Sequence, residues 1–241
     1  MPSIGDEVIG AVLAGGLGTR LRAAVADRPK VLALVHGRPF LAYLLDQFAG
    51  AGVRQTVLLT GYMADRVEAE FGRAFAGMSL AYSPEPQPLG TGGALRHALP
   101  LLTRPTVLVL NGDSYCDLDP AAFFAQHQGS GAEATLALTA VADASRYGKV
   151  RLSDDGRVER FEEKQAGAGP GWINAGVYLL ARRLVEEVPA GRAVSLERDV
   201  FPGWAASGRC RGYRAAGRFL DIGTPESYAE AAMFFARDRP S

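Results

Sequence analysis

The run Ile9 to Ala14 is apolar without a polar break and leads into Gly15-Gly16-Leu17-Gly18-Thr19-Arg20. A strand with no polar alternation is covered on both faces, which places it inside a sheet with helices on either side. The glycines then bring backbone N–H groups to a surface with no Cβ in the way. Arg20 closes the turn, and Arg22, Arg28 and Lys30 follow. Backbone donors beside fixed positive charge suit a chain of phosphates. With no ligand in view, the same turn reads as a strand-to-helix connection. Spacing excludes two phosphate loops. The dinucleotide fingerprint needs a third glycine where Leu21 stands, and the Walker loop needs Ser or Thr after Gly148-Lys149, where Val150 stands.

The alternation continues down the chain. Phe40, Leu41, Leu44, Leu45 and Phe48 have helical spacing behind Pro39, and Gly50 and Gly52 end the segment. Thr56 to Thr60 reads as a strand, Ala64 to Phe71 as a helix, and Leu80 to Ser83 as a strand. Gly92 to Leu101 reads as a helix and Thr106 to Leu110 as a strand. Continuous apolar strands separated by helices predict a parallel sheet. The turns after Leu13, Thr60, Ser83 and Leu110 then share the carboxyl edge, where such sheets bind ligands. Beyond them Ala134 to Ala140, Lys149 to Leu152, Val158 to Glu163 and Ile173 to Leu180 read as strands, with Asp155-Gly156 as a hairpin turn. Helices are expected from Arg182 to Glu187, from Ser195 to Ala206, and from Pro225 to Ala236 with Thr224 as N-cap. Gln165 to Gly171 is expected to be a mobile loop over the site. The expectation is a single α/β domain over 1–241, with a parallel half followed by a hairpin-rich half.

Bulk properties narrow the partners. With 26 basic and 26 acidic residues the formal net charge is zero, so no global field draws in nucleic acid or an anionic membrane. Cys116 and Cys210 are too few for a disulfide framework, and His36, His97 and His127 lack zinc-ligand spacing. The N-terminus carries Asp6 and Glu7 rather than a basic leader, and no run of about 18 apolar residues occurs. The expectation is a soluble, cytoplasmic protein.

Several residues can carry chemistry. Asp113, in Asn111-Gly112-Asp113-Ser114, either holds a divalent cation against phosphate oxygens or shapes the turn. Asp221, in Phe219-Leu220-Asp221-Ile222-Gly223, is either functional or a satisfied turn residue. Together the two carboxylates make a candidate magnesium pair. Glu162-Glu163-Lys164 is a solvated charge run or a grip for a monophosphate. Asn174, in an apolar strand, is a ligand for sugar hydroxyls or a satisfied core amide. Pro88-Leu89-Gly90-Thr91-Gly92-Gly93-Ala94 is a second glycine turn into a helix. No hydroxyl or thiol makes a triad with a histidine, so covalent catalysis has no support.

Leu13-Ala-Gly-Gly-Leu-Gly-Thr-Arg-Leu21, Arg28-Pro-Lys30, Pro88-Leu-Gly-Thr-Gly-Gly-Ala94, Asn111-Gly-Asp-Ser114, Glu163-Lys164, Asn174-Ala-Gly-Val-Tyr178 and Leu220-Asp-Ile-Gly-Thr-Pro225 stand in this order. The ordered set resembles the sugar-1-phosphate nucleotidyltransferases from about Ile9 to Phe235. Within that family it looks most like the D-glycero-α-D-manno-heptose 1-phosphate guanylyltransferases. The resemblance implies a Rossmann-like three-layer fold with a mixed, mainly parallel sheet of the nucleotide-diphospho-sugar transferase type. A nucleotide-binding half (about 9–115) would precede a sugar-phosphate-binding half (about 116–241). It implies transfer of a nucleotide from a nucleoside triphosphate, here GTP, to a sugar 1-phosphate, here the heptose, with Mg2+ as cofactor. Arg20 would take the β- and γ-phosphates, Lys30 the α-phosphate, and Asp113 and Asp221 the metal. Leu13, Ala14, Gly15, Gly16, Gly18 and Thr19 would lie along the nucleotide, and Glu85, Gly90 and Thr91 near the base or sugar. Gly112 would also contact substrate. Glu162, Lys164 and Asn174 would grip the sugar phosphate. Dimers are common in the family; nothing in this sequence fixes one. Relatives often carry proline where Val31 and Ala23 stand. The chain stops soon after its last helix, which argues against a fused β-helical acetyltransferase. Two other readings remain: a mannose- or glucose-1-phosphate enzyme using another triphosphate, and a non-catalytic nucleotide-sugar-binding regulator.

Overall fold

In the computed structural model, which describes residues 4–19, 21, 25 and 27–236, the first half alternates as its apolar runs require. It comprises β1 (Val8–Ala14), α1 (Phe40–Gly50), β2 (Gln55–Thr60), α2 (Ala64–Phe71), β3 (Met78–Pro84), α3 (Gly90–Ala98) and β4 (Thr106–Asn111). β1 pairs in parallel with β2 and β4, and β2 in parallel with β3. Successive β1 residues serve different cores. Val8, Val12 and Ala14 pack on one face with Phe40, Leu44 and Phe48 of α1, while Ile9 and Ala11 pack on the other with Ala94 and Leu95 of α3. This two-sided burial explains the missing polar alternation. Each buried aliphatic or aromatic side chain contributes about 1.5–3 kcal/mol relative to exposure. The protein is therefore a three-layer α/β structure with helices on both faces of a mixed, mostly parallel sheet.

The second half comprises β5 (Ser114–Cys116), α4 (Pro120–Ser130), β6 (Ala134–Val141), β7 (Lys149–Leu152), β8 (Val158–Glu162), β9 (Gly171–Ala181), α5 (Arg182–Glu187), α6 (Phe201–Ala206), β10 (Cys210–Arg214), β11 (Phe219–Asp221) and α7 (Pro225–Ala236). A π-wound turn, Leu196–Val200, leads into α6. The sheet order is β8-β7-β9-β4-β1-β2-β3, with β6 and then β10 on the other side of β9. Along one side β9 has two partners. Residues 177–181 pair with β4, while Ile173 pairs with Lys149 of β7. The sheet therefore divides between Asn111 and Lys149, and the division opens a cavity lined by both ends.

The sequence did not indicate α4, β5, β10 or β11. α4 is set by Pro120 in its first turn and by Asp119, whose side chain accepts from the N–H groups of Ala121 and Ala122 at 2.9 and 3.1 Å. β5 and β11 form a separate antiparallel pair with Ser114 opposite Asp221. The segment 165–171 is tied down where Ala168 N–H donates to Ser145 Oγ (3.2 Å) and Ala144 N–H to Gly169 O (3.0 Å). Cys116 and Cys210 are free, buried thiols. Among the described residues no helix is long and apolar enough to cross a membrane.

Candidate functional site

The turns after β1, β3 and β4 meet at the carboxyl edge of the sheet and enclose a cavity of about 290 Å³. Its walls are Leu13, Ala14, Gly15 and Gly16 from the first turn, Glu85, Gly90 and Thr91 from the second, and Gly112 and Asp113 from the third. Two glycines are required by close approach. A Cβ on Gly15 would lie 2.1 Å from Glu85 Oε1, so only glycine lets that carboxylate reach the loop. Gly18 has φ +58°, and a Cβ there would meet Lys30 Cβ at 3.2 Å, so the loop folds directly onto the lysine. Gly18 and Thr19 line neither this cavity nor the larger one. Arg20 and Arg22 lie outside the described residues.

Glu85 is held by its own turn, with Oε2 accepting from Leu89 N–H at 2.7 Å. Burial pushes its carboxyl above the ordinary value, while the Leu89 N–H and the nearby His97 pull it back. The other oxygen faces Gly15.

Lys30 reaches across the cavity floor to Asp113, Nζ to Oδ2 at 2.7 Å, and Ser114 Oγ donates to Asp113 Oδ1 at 3.1 Å. The β5–β11 pairing brings Asp221 to the same place. Ser114 stands opposite Asp221, and Ile222 N–H donates to the Asp113 carbonyl at 2.9 Å. Asp221 Oδ1 accepts from Gly223 N–H, and Tyr147 OH lies 3.5 Å from Oδ2. This backbone pairing brings a carboxylate from each of two distant stretches into one region, a donor type that a magnesium ion uses. That ion takes one or two carboxylates and completes its shell with water and phosphate oxygens. Among the described residues no cluster of three or more Asp, Glu, His or Cys forms a closed metal cage. Two carboxylates would leave the rest of such an ion's shell to water or other oxygens.

The second cavity, about 550 Å³, opens at the division of the sheet and shares Asn111 and Asp113 with the first. Asp221, Lys149, Lys164, Asn174, Glu197 and Arg198 also line it. Glu162 and Glu163 both border it, with different surroundings. Glu162 Oε1 accepts from Arg151 Nε at 2.8 Å and Arg160 Nη2 at 3.1 Å, whereas Glu163 has no such partner among the described residues. Asn174 is held by Tyr178 OH, which accepts from Nδ2 at 2.8 Å, and by Gly176 N–H, which donates to Oδ1 at 2.9 Å. Sequence reasoning passed over Glu197 and Arg198. Ser195-Leu196-Glu197-Arg198-Asp199 reads as an ordinary charged helix start, and only the fold turns it toward a cavity.

Comparison with known proteins identifies the chain's family and relatives. Residues 9–238 match the family described as nucleotidyl transferase. The chain is 38% identical over 234 residues to mannose-1-phosphate guanylyltransferase of Mycobacterium tuberculosis, covering 96% of this chain and 65% of that protein. It is 36% identical over 220 residues to D-glycero-alpha-D-manno-heptose 1-phosphate guanylyltransferase of Aneurinibacillus thermoaerophilus, covering 91% of this chain and 95% of that one. The crystal structure of HddC from Yersinia pseudotuberculosis superposes with a TM-score of 0.83 at 31% identity, over 95% of this chain and 99% of that chain. The same protein has been solved in complex with GMP-PN.

Proposed function

The chain belongs to the nucleotidyl transferase family, and from that premise we propose that it joins the nucleotide of GTP to a sugar 1-phosphate, D-glycero-α-D-manno-heptose 1-phosphate, and releases pyrophosphate. The observation that carries this reading is the seam between the two cavities. There Asp113 borders both cavities, with Lys30 on the wall of the smaller, glycine-lined one and Asp221 on that of the larger one, which also carries Lys149, Lys164 and Arg198. Guanine is favoured by Glu85, whose carboxylate only accepts hydrogen bonds. Guanine offers adjacent N1–H and N2–H₂ donors on one edge, a pair that other bases lack. The relatives named for guanylyl transfer point the same way. The heptose is supported by the heptose relative, 36% identical over 220 residues. Mannose 1-phosphate is the second reading, supported by the higher identity of 38%.

In the proposed reaction an oxygen of the sugar phosphate attacks the α-phosphorus. A new P–O bond forms, the bond from the α-phosphorus to the α,β-bridging oxygen breaks, and pyrophosphate leaves with that electron pair. The nucleophile is already an anion at neutral pH, so no general base is needed. The obstacle is repulsion between two anions. Lys30 offsets it at the α-phosphate, Lys164 at the sugar phosphate, and Arg20 at the β- and γ-phosphates. Asp113 and Asp221 would hold a magnesium ion, whose charge when bound screens the phosphates from one another. The glycine turn and Glu85 orient the nucleotide for in-line attack, an effect worth about 7 kcal/mol in favourable cases.

The test is a pyrophosphate-release assay pairing each common nucleoside triphosphate with heptose, mannose and glucose 1-phosphates. GTP with the heptose phosphate is expected to give the highest kcat/KM. A preference for UTP with glucose 1-phosphate would overturn both substrate assignments, and pyrophosphate from no pair would point to a regulator.

A further inference from the structure

Three hydroxyls converge on one carboxylate between the two cavities, and no role given above uses it. Glu197 Oε2 accepts from Thr91 Oγ1 at 2.8 Å and Ser195 Oγ at 2.9 Å, and its Oε1 accepts from Tyr178 OH at 3.2 Å. The residue sits on the π-wound turn Leu196–Val200, a winding often found where a side chain must be re-aimed for function. Thr91 also accepts from Leu196 N–H at 2.8 Å, so the turn is latched to the start of α3.

Hydrogen-bond direction spreads outward from this carboxylate. An ionised carboxylate only accepts, so each hydroxyl must point its proton at it. Tyr178 has one proton and spends it on Glu197; full burial holds the phenol far above its ordinary pKa, so that proton stays. The Tyr178 oxygen can then only accept. It takes Asn174 Nδ2 at 2.8 Å and Asn111 Nδ2 at 3.5 Å. Both amides are thereby turned with nitrogen toward the tyrosine. Both also line the larger cavity, and Asn111 Oδ1 is a buried acceptor with no partner among the described residues.

We propose that Glu197 is a positioning residue of the sugar-phosphate pocket, fixing through Tyr178 the direction in which Asn111 and Asn174 present their amides to the sugar hydroxyls. The proposal rests on the larger cavity being the sugar-phosphate site. Glu197→Gln keeps the shape and replaces one acceptor with a donor, so at least one hydroxyl must turn away. Tyr178→Phe removes the relay while leaving Thr91 and Ser195 on the carboxylate.

The experiment measures three quantities on wild type, Glu197→Gln and Tyr178→Phe: affinity for mannose and heptose 1-phosphates by calorimetry, KM for each substrate, and the thermal midpoint. Both variants are expected to weaken sugar 1-phosphate binding and raise its KM by about 10-fold or more, since a mispaired buried polar group loses its hydrogen bond without regaining water. The KM for the triphosphate is expected to stay within about threefold, less than 1 kcal/mol. Equal rises in both KM values, or a fall in kcat with both KM values unchanged, would mark a structural role and overturn the proposal. A wild type that binds sugar 1-phosphate without turnover would sink the reaction assigned above. Weakened binding in Glu197→Gln would still support the pocket. A wild type that binds no sugar 1-phosphate would sink both.

Discussion

Lys30 Nζ lies 2.7 Å from Asp113 Oδ2, and this ion pair joins the turn Lys30–Leu32 to the turn after β4 across 83 residues of sequence. The lysine side chain is 11% exposed and the aspartate 38% exposed. The lysine is therefore enclosed beside the cavity while its partner keeps contact with water. Lys30→Ala is expected to lower turnover by about 10²-fold or more, the usual cost of removing a preorganised charge from a developing anion. Asp113 stays hydrated, so the thermal midpoint should move little. Near-normal kcat in a folded Lys30→Ala protein would remove the lysine from the reaction.

Glu85 and Gly15 make a second close relationship, since any side chain at Gly15 would collide with the Glu85 carboxylate. Glu85→Gln replaces one acceptor with a donor and should reduce the preference for GTP over the other triphosphates by about 1–3 kcal/mol, the usual worth of a paired base contact. Because burial raises the Glu85 pKa, its carboxylate is lost at a higher pH than an ordinary glutamate's. The KM for GTP should accordingly rise on acidification before exposed carboxylates titrate, and this limb should vanish in Glu85→Gln. The measurement is KM for GTP against pH in both proteins; identical profiles would refute the assignment.

Asp221 reaches the site through a three-residue strand pairing, and among the described residues its carboxylate accepts from Gly223 N–H and lies 3.5 Å from Tyr147 OH. Asp221→Asn should raise the magnesium concentration needed for half-maximal rate and lower saturated turnover by about 10²-fold. Chelation should stop wild-type turnover reversibly. A magnesium titration on the two proteins checks this, and superimposable curves would exclude Asp221 as a metal ligand.

The sequence was informative wherever one residue pattern settled the local outcome. β1 is an apolar run, and β2 and β4 carry apolar centres, Val57 to Leu59 and Val107 to Leu110, each stopped by polar or glycine turns; burial on both faces accounts for them. α4 was hidden because its buried face mixes Phe123 and Phe124 with His127, so no apolar period stands out. β5 and β11 span three residues each, too few for any period, and become strands only by meeting each other. That meeting is what brings Asp113 and Asp221 together, so motif order could suggest the pair while spacing could not. Glu162 and Glu163 show the same limit. Neighbours at the end of a strand tend toward opposite faces, and the register that gives Glu162 to Arg151 and Arg160 is set by the hairpin. Glu197 was missed because its surroundings are assembled from Thr91, Tyr178 and Ser195, which sequence distance keeps apart.

His127 gives a prediction about stability rather than catalysis. It is buried on α4, and its Nδ1 lies 2.8 Å from Thr135 Oγ1 on β6. Burial lowers its pKa from 6.5 to about 4. The unfolded chain therefore takes up a proton near pH 6.5 while the native one resists until about pH 4. The stability from the neutral imidazole is complete above pH 6.5 and drains away as pH falls toward 4. The loss amounts to about 3 kcal/mol at most. His127→Gln cannot titrate, so its unfolding free energy should fall less than the wild type's across that window. Denaturant titrations of both proteins at several pH values test this. Parallel curves would mean that the imidazole carries its proton in the folded core, which the apolar packing of Phe123 and Phe124 around α4 opposes.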